Sequence, residues 1–179
     1  MKRFFGFFLV LCLMLCACGK QEAPKQKTDW VQLLPTQLLS EEEAQSFVSY
    51  SLQATETVTR QKSTVVYQSV NRGEGDPIIV DVYQYNGRRS VPLVYQQFCE
   101  WREKRPSAKA VEGLSAEAFI AYPSMHLYSD GFHVVITAGS GSDDAQAALL
   151  QQIATPVLAH LEEFLSEHPT PTDIAVGLE

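Results

Sequence analysis

His126 and His133 are the two side chains whose type and spacing come nearest to a reactive site. They flank Asp130-Gly131, a pair favoured in two-residue hairpin turns because both positions tolerate positive φ. That turn pairs Ser129 with Phe132 and Leu127 with Val134, so His126 opposes Val135 and His133 opposes Tyr128. Strand alternation then puts both histidines on one face, as diagonal neighbours roughly 7 Å apart. Two imidazoles so placed suit zinc, but a tetrahedral site needs one or two further ligands. No HExxH or CxxC motif supplies them. The expectation is therefore no metal, and a pair of exposed sheet histidines.

Other candidates reduce to structural roles. Gly139-Ser140-Gly141-Ser142 stands between a predicted strand and a predicted helix, where a phosphate loop would sit. The third glycine of a dinucleotide fingerprint is missing, no Gly-Lys-Ser/Thr follows, and Asp143 and Asp144 would repel a phosphate while stabilising the helix dipole. No Gly-x-Ser-x-Gly elbow marks a hydrolase nucleophile. Glu41 to Glu43 follow Ser40 as a helix-capping signature, and Glu162-Glu163 fall on a helix surface. Arg102, Lys104 and Arg105 crowd the end of a predicted helix, where cations suit the dipole. No catalytic residue and no cofactor is predicted.

These side chains need elements to position them. Ser40 opens a helix carrying Ala44, Phe47, Val48 and Leu52 at helical spacing. Residues 64–70 and 78–85 are rich in β-branched and aromatic types around the turn-forming 71–77 loop. In the second of these strands Ile78, Val80 and Val82 form the predicted core face, leaving Ile79, Asp81, Tyr83 and Tyr85 opposite. Ser90 caps a helix from Val91 to about Lys104, with Val91, Val94, Tyr95, Phe98 and Trp101 on one side. Residues 111–115 read as a linker, followed by strands at 118–122, 125–129 and 132–137. A long helix over 143–165 closes the pattern, with Pro156 expected to kink or split it. The fold class is α+β: an antiparallel sheet of about five strands sandwiched by helices.

On that sheet Asp81, Tyr83, Tyr85, His126, Tyr128 and His133 share the non-core face. Aromatics and histidines there, where no core demands them, make this the candidate binding surface. The competing expectation is a helix that covers them.

The first residues carry a different signal. Lys2 and Arg3 precede an apolar run from Phe4 to Leu15, too short for a stable membrane span. Leu15-Cys16-Ala17-Cys18 then resembles the lipobox of bacterial lipoprotein signal peptides. The resemblance implies cleavage after Ala17 and acylation of Cys18, which would hold the chain on a membrane by its N-terminal lipid. Two or three acyl chains anchor firmly where one does not. Gly19 after the lipidated cysteine resembles the outer-membrane export pattern, on the periplasmic side of a double-membrane cell; in a single-membrane cell the outer face of the membrane is implied. Four cysteines then leave one thiol in the folded part, Cys99, expected as a half-buried small hydrophobe between Phe98 and Trp101. No intramolecular disulfide is possible after such processing.

The segments follow: a signal peptide over 1–17, the lipidated cysteine and a flexible tether over 18–29, a single domain over 30–166 and a disordered tail over 167–179. Fourteen Lys and Arg against 21 Asp and Glu give a net charge of −7, and losing Lys2 and Arg3 makes the mature chain more acidic still. That balance argues against nucleic acid as a partner, and against electrostatic attraction to anionic lipid surfaces.

Three local motifs resemble a group of small bacterial lipoproteins with PsbP-like domains: Leu39-Ser40-Glu41-Glu42-Glu43-Ala44, Val111-Glu112-Gly113-Leu114 before Glu117-Ala118-Phe119, and Tyr128-Ser129-Asp130-Gly131. The group more often has Gly-Asp or Gly-Glu where this chain has Leu114-Ser115-Ala116-Glu117. The likeness spans about Leu38 to Leu165 and implies an antiparallel sheet covered by helices on both sides. It also implies a binding or assembly factor for an envelope protein or small ligand, and no functional residue carries over. An envelope enzyme with an unrecognised site, or a structural envelope lipoprotein, are the alternatives.

Overall fold

The computed structural model describes residues 31–59, 61–86 and 90–170. The expected signal peptide, lipidated Cys18, the whole of the tether and the last nine residues lie outside them. Within them the fold is α+β, with one antiparallel sheet of seven strands and four helices. In chain order these are α1 (Pro35–Leu38), α2 (Glu41–Ser46), β1 (Leu52–Val58), β2 (Ser63–Ser69) and β3 (Ile78–Gln84). Then follow α3 (Val91–Glu103), β4 (Lys109–Val111), β5 (Glu117–Ala121), β6 (Ser124–Ser129), β7 (Phe132–Ala138) and α4 (Asp144–Glu167). Across the sheet the order is β1-β2-β3-β7-β6-β5-β4.

Two strands beyond the expected five are present. Ser40 caps α2 as its sequence indicates: its Oγ accepts from Glu43 N at 3.2 Å and Glu43 Oε2 accepts from Ser40 N at 2.8 Å. The helix stops at Ser46, however, and Leu52 begins β1 instead of completing a helical stripe. The second addition, β4, occupies part of what read as a linker and pairs Val111 with Ala118. β1 and β4 are the two edges. At the β1 edge, α2 lies alongside: Leu52 N donates to Gln45 Oε1 at 2.9 Å and Ala54 N to Glu41 Oε2 at 3.2 Å.

One face of the sheet carries the main core. Val65, Val80, Val82, Met125, Leu127, Val134 and Ile136 are buried there against Leu150, Ile153, Val157 and Leu161 of α4. Leu33, Leu38 and Leu39 join them, so the apolar segment before Ser40 packs across the domain. Buried Gln84 ties that segment down: its Oε1 accepts from Leu33 N at 3.0 Å and its Nε2 donates to Val31 O at 3.3 Å. α4 is one helix; Pro156 lies within it without ending it. Its start is capped by Asp143, whose Oδ1 accepts from Gln146 N at 2.9 Å, so the Gly-Ser-Gly-Ser stretch is a capped connection.

The β6–β7 hairpin has the anticipated register, Leu127 with Val134 and Ser129 with Phe132. Its turn places Asp130 at φ 40° and Gly131 at φ 87°, the left-handed region that Asp-Gly accommodates. On the opposite face a smaller cluster forms where α3 sets Phe98 against Phe119 and Ala121. Among the described residues no helix is long and apolar enough to cross a membrane.

Candidate functional site

Strand parity builds the site. On the face beneath α3, one row across the sheet runs Phe119, His126, Val135, Asp81, and the next runs Glu117, Tyr128, His133, Tyr83. The two histidines sit diagonally on neighbouring strands, and their rings lean together until His126 Nδ1 and His133 Nε2 are 3.0 Å apart. One ring donates its N–H and the other accepts through a lone pair.

Neither histidine is exposed, which corrects the expectation of solvated sheet histidines: His126 retains 1% of its accessible surface and His133 none. The enclosure is aromatic. Phe119 stacks on His126 with ring centres 4.4 Å apart and planes 10° from parallel, and Trp101 tilts against it at 5.0 Å. Tyr83 stacks on His133 at 5.4 Å, and Phe98 meets it edge-on at the same separation. Arg105 closes the outside, its guanidinium carbon 4.4 Å from the Trp101 ring centre and its Nη1 donating to Trp101 O at 3.2 Å. Burial among rings disfavours the charged imidazole, and the Arg105 charge disfavours it further, so His126 is pushed down to about 3. At neutral pH it is uncharged.

The other four candidate residues divide. Asp81 is half-buried, accepting from Thr64 Oγ1 at 2.7 Å and pairing with Lys62 Nζ at 3.1 Å. Tyr83 and Tyr128 are half-buried, Tyr128 against Tyr95 at 4.8 Å and Phe98 at 5.7 Å. Tyr85 is a correction. It does not share their face, because β3 ends at Gln84 and alternation ends with it. Its ring turns into the main core and meets Phe132 edge-on at 5.6 Å. The open six-residue surface is therefore reduced to Asp81, Tyr83 and Tyr128 at the margin of α3.

Trp101, Phe98 and Phe119 complete the cluster, and sequence reasoning did not join them to the histidines. A signal existed: α3 carries an apolar stripe that needs a surface, and β5 reads apolar on both faces at Phe119-Ile120-Ala121. Cys99 is half-buried beside this cluster, as expected of a small hydrophobe. No group of three or more His, Cys, Asp or Glu among the described residues is placed to hold a metal ion. A cleft of about 400 Å³ lies elsewhere, between the end of β2 and the 71–77 loop, lined by residues such as Val66, Gln68, Arg72 and Glu74.

The arrangement is suited to cohesion. Two imidazoles bonded to each other and walled by rings have no open path to a substrate proton, and they join α3 to two central strands. No family model matches the chain, and no curated protein or solved structure matches it either.

Proposed function

We propose that the chain is a lipid-anchored protein of the bacterial cell envelope, whose domain, of PsbP-like type, is a non-catalytic binding or assembly module. The observation that carries this reading is Leu15-Cys16-Ala17-Cys18 directly after a basic start and a short apolar run, with the polar Gly19-Lys20-Gln21-Glu22 beyond. A diacylated or triacylated Cys18 supplies the membrane affinity that an acidic domain lacks electrostatically. Gly19 favours the periplasmic side of the outer membrane in a double-membrane cell. The buried pair of His126 and His133 is engaged internally, which fits a scaffold better than a reaction centre.

The test is mass spectrometry of the mature protein from a bacterial envelope fraction, followed by cross-linking of the lipidated protein in place. The expected result is loss of residues 1–17 with acyl chains on the new N-terminal cysteine, abolished by Cys18→Ala, and one reproducible cross-linked partner. An unacylated N-terminus would remove the anchor. A properly lipidated protein with no partner would remove the binding role alone.

A further inference from the structure

We propose that α3 is an acid-released cover over the aromatic face of the sheet, with the His126–His133 pair as its trigger. The pair bridges two strands directly beneath the helix, and α3 or the turn after it supplies Phe98, Trp101 and Arg105 to the enclosure. With both rings neutral, a single N–H···N bond joins them. A first proton, on the far nitrogen of the donor ring, keeps that bond but sets a full charge among rings. A second converts the accepting nitrogen into a donor, so that two N–H groups face each other 3.0 Å apart and the bond is lost.

The surrounding groups favour release over accommodation. From α3 and its end come the half-buried Cys99 and the cationic Arg105; from β3, Asp81 and Tyr83; from β5, Glu117; from β6, Tyr128. Asp81 is engaged by Thr64 and Lys62, and Glu117 by Tyr95 and Arg102. Arg105 opposes any added positive charge on His126, the direction in which burial already acts.

α3 is also the element least able to resist. It buries two side chains, Val94 and Phe98, where α4 buries eight. Its N-cap Ser90 makes no capping bond with its hydroxyl, whereas Asp143 caps α4. The strands carrying the histidines are central and paired on both sides, so they stay while the helix lifts.

This inference is independent of the lipid anchor and the binding role, since it is read on the purified full-length protein in detergent. The experiment is amide hydrogen exchange across the pH range 7 to 4.5, normalised for intrinsic exchange chemistry. Each linked proton gives about tenfold per pH unit below the free histidine value, so α3 amides are expected to exchange at least about 100-fold faster at pH 4.5 than at pH 7. Amides of α4 are expected to hold their protection. In the double variant His126→Gln/His133→Gln, which retains hydrogen-bonding side chains without titrating, the α3 acceleration should vanish. α3 protection that is flat with pH in the wild type, or lost together with that of α4, overturns the proposal. A persistent slope in the double variant overturns the trigger. Should that variant not fold, the wild type decides through the α3 and α4 exchange together with a histidine nitrogen NMR titration, in which His126 must gain its proton as α3 opens.

Discussion

Removing the Phe98 ring is the most direct probe of how α3 is held. Phe98 is 1% exposed and its ring centre lies 5.1 Å from Phe119, 5.4 Å from His133 and 5.7 Å from Tyr128. Truncating a buried Phe to Ala costs about 3–5 kcal/mol through lost transfer energy and the cavity left behind. The aromatic contacts, about 0.5–1.5 kcal/mol per pair and not additive, place Phe98→Ala toward the upper part of that range. A domain of ordinary stability, about 5–15 kcal/mol, would lose about a quarter of it or more. Leu93, the exposed neighbour of Val94 in α3 at 49% exposure, is the internal control, and Leu93→Ala should change stability by no more than about 0.5 kcal/mol. The assay is urea unfolding followed by circular dichroism and by tryptophan fluorescence, with both variants beside the wild type. A loss under about 1 kcal/mol for Phe98→Ala, or equal losses for the two variants, would refute the orientation of α3 and the cohesive role of the cluster beneath it.

Further outcomes follow from other contacts. Ser40→Ala removes the hydroxyl that accepts from Glu43 N and should cost about 1 kcal/mol, read as a lowered urea midpoint with an unchanged slope. Gln84→Leu leaves Leu33 N without its acceptor and should cost about 1–3 kcal/mol, with faster limited proteolysis before α1 as the local readout. Because His126 is held below its ordinary value in the folded state, its contribution to stability is complete above about pH 6.5 and falls as pH drops toward 3. Chemical denaturation should show about 2 kcal/mol lost between pH 7 and pH 5, a loss that His126→Gln should suppress.

Local signals in the sequence were reliable where a single residue type dictates the backbone. Asp130-Gly131 sets the hairpin register, and with it the pairing of His126 with Val135 and of His133 with Tyr128. Ser40 and Glu43 mark the start of α2, and Asp143 that of α4. The α+β class and the apolar face of β3 follow from the same kind of pattern. What was hidden is long-range. Leu52 continues the Ala44, Phe47, Val48 spacing by coincidence, so β1 was masked by an apparent helix whose chain in fact turns after Ser46. β4 has three residues, too few for a pattern, and exists because β5 offers it an edge. Alternation assigned the histidines to a face but carries no information on what covers that face. Only the meeting of α3 with the hairpin makes the pair buried.

The arrangement at the first strand bears on how copies of this protein can coexist at high density. An outer strand normally offers a ladder of open amides onto which another chain can zip. Here the side chains of Gln45 and Glu41 occupy two such amides, at Leu52 and Ala54, and the opposite rim is three residues long and begins with Lys109. Those two amides and that short rim are therefore withheld from sheet extension between crowded molecules.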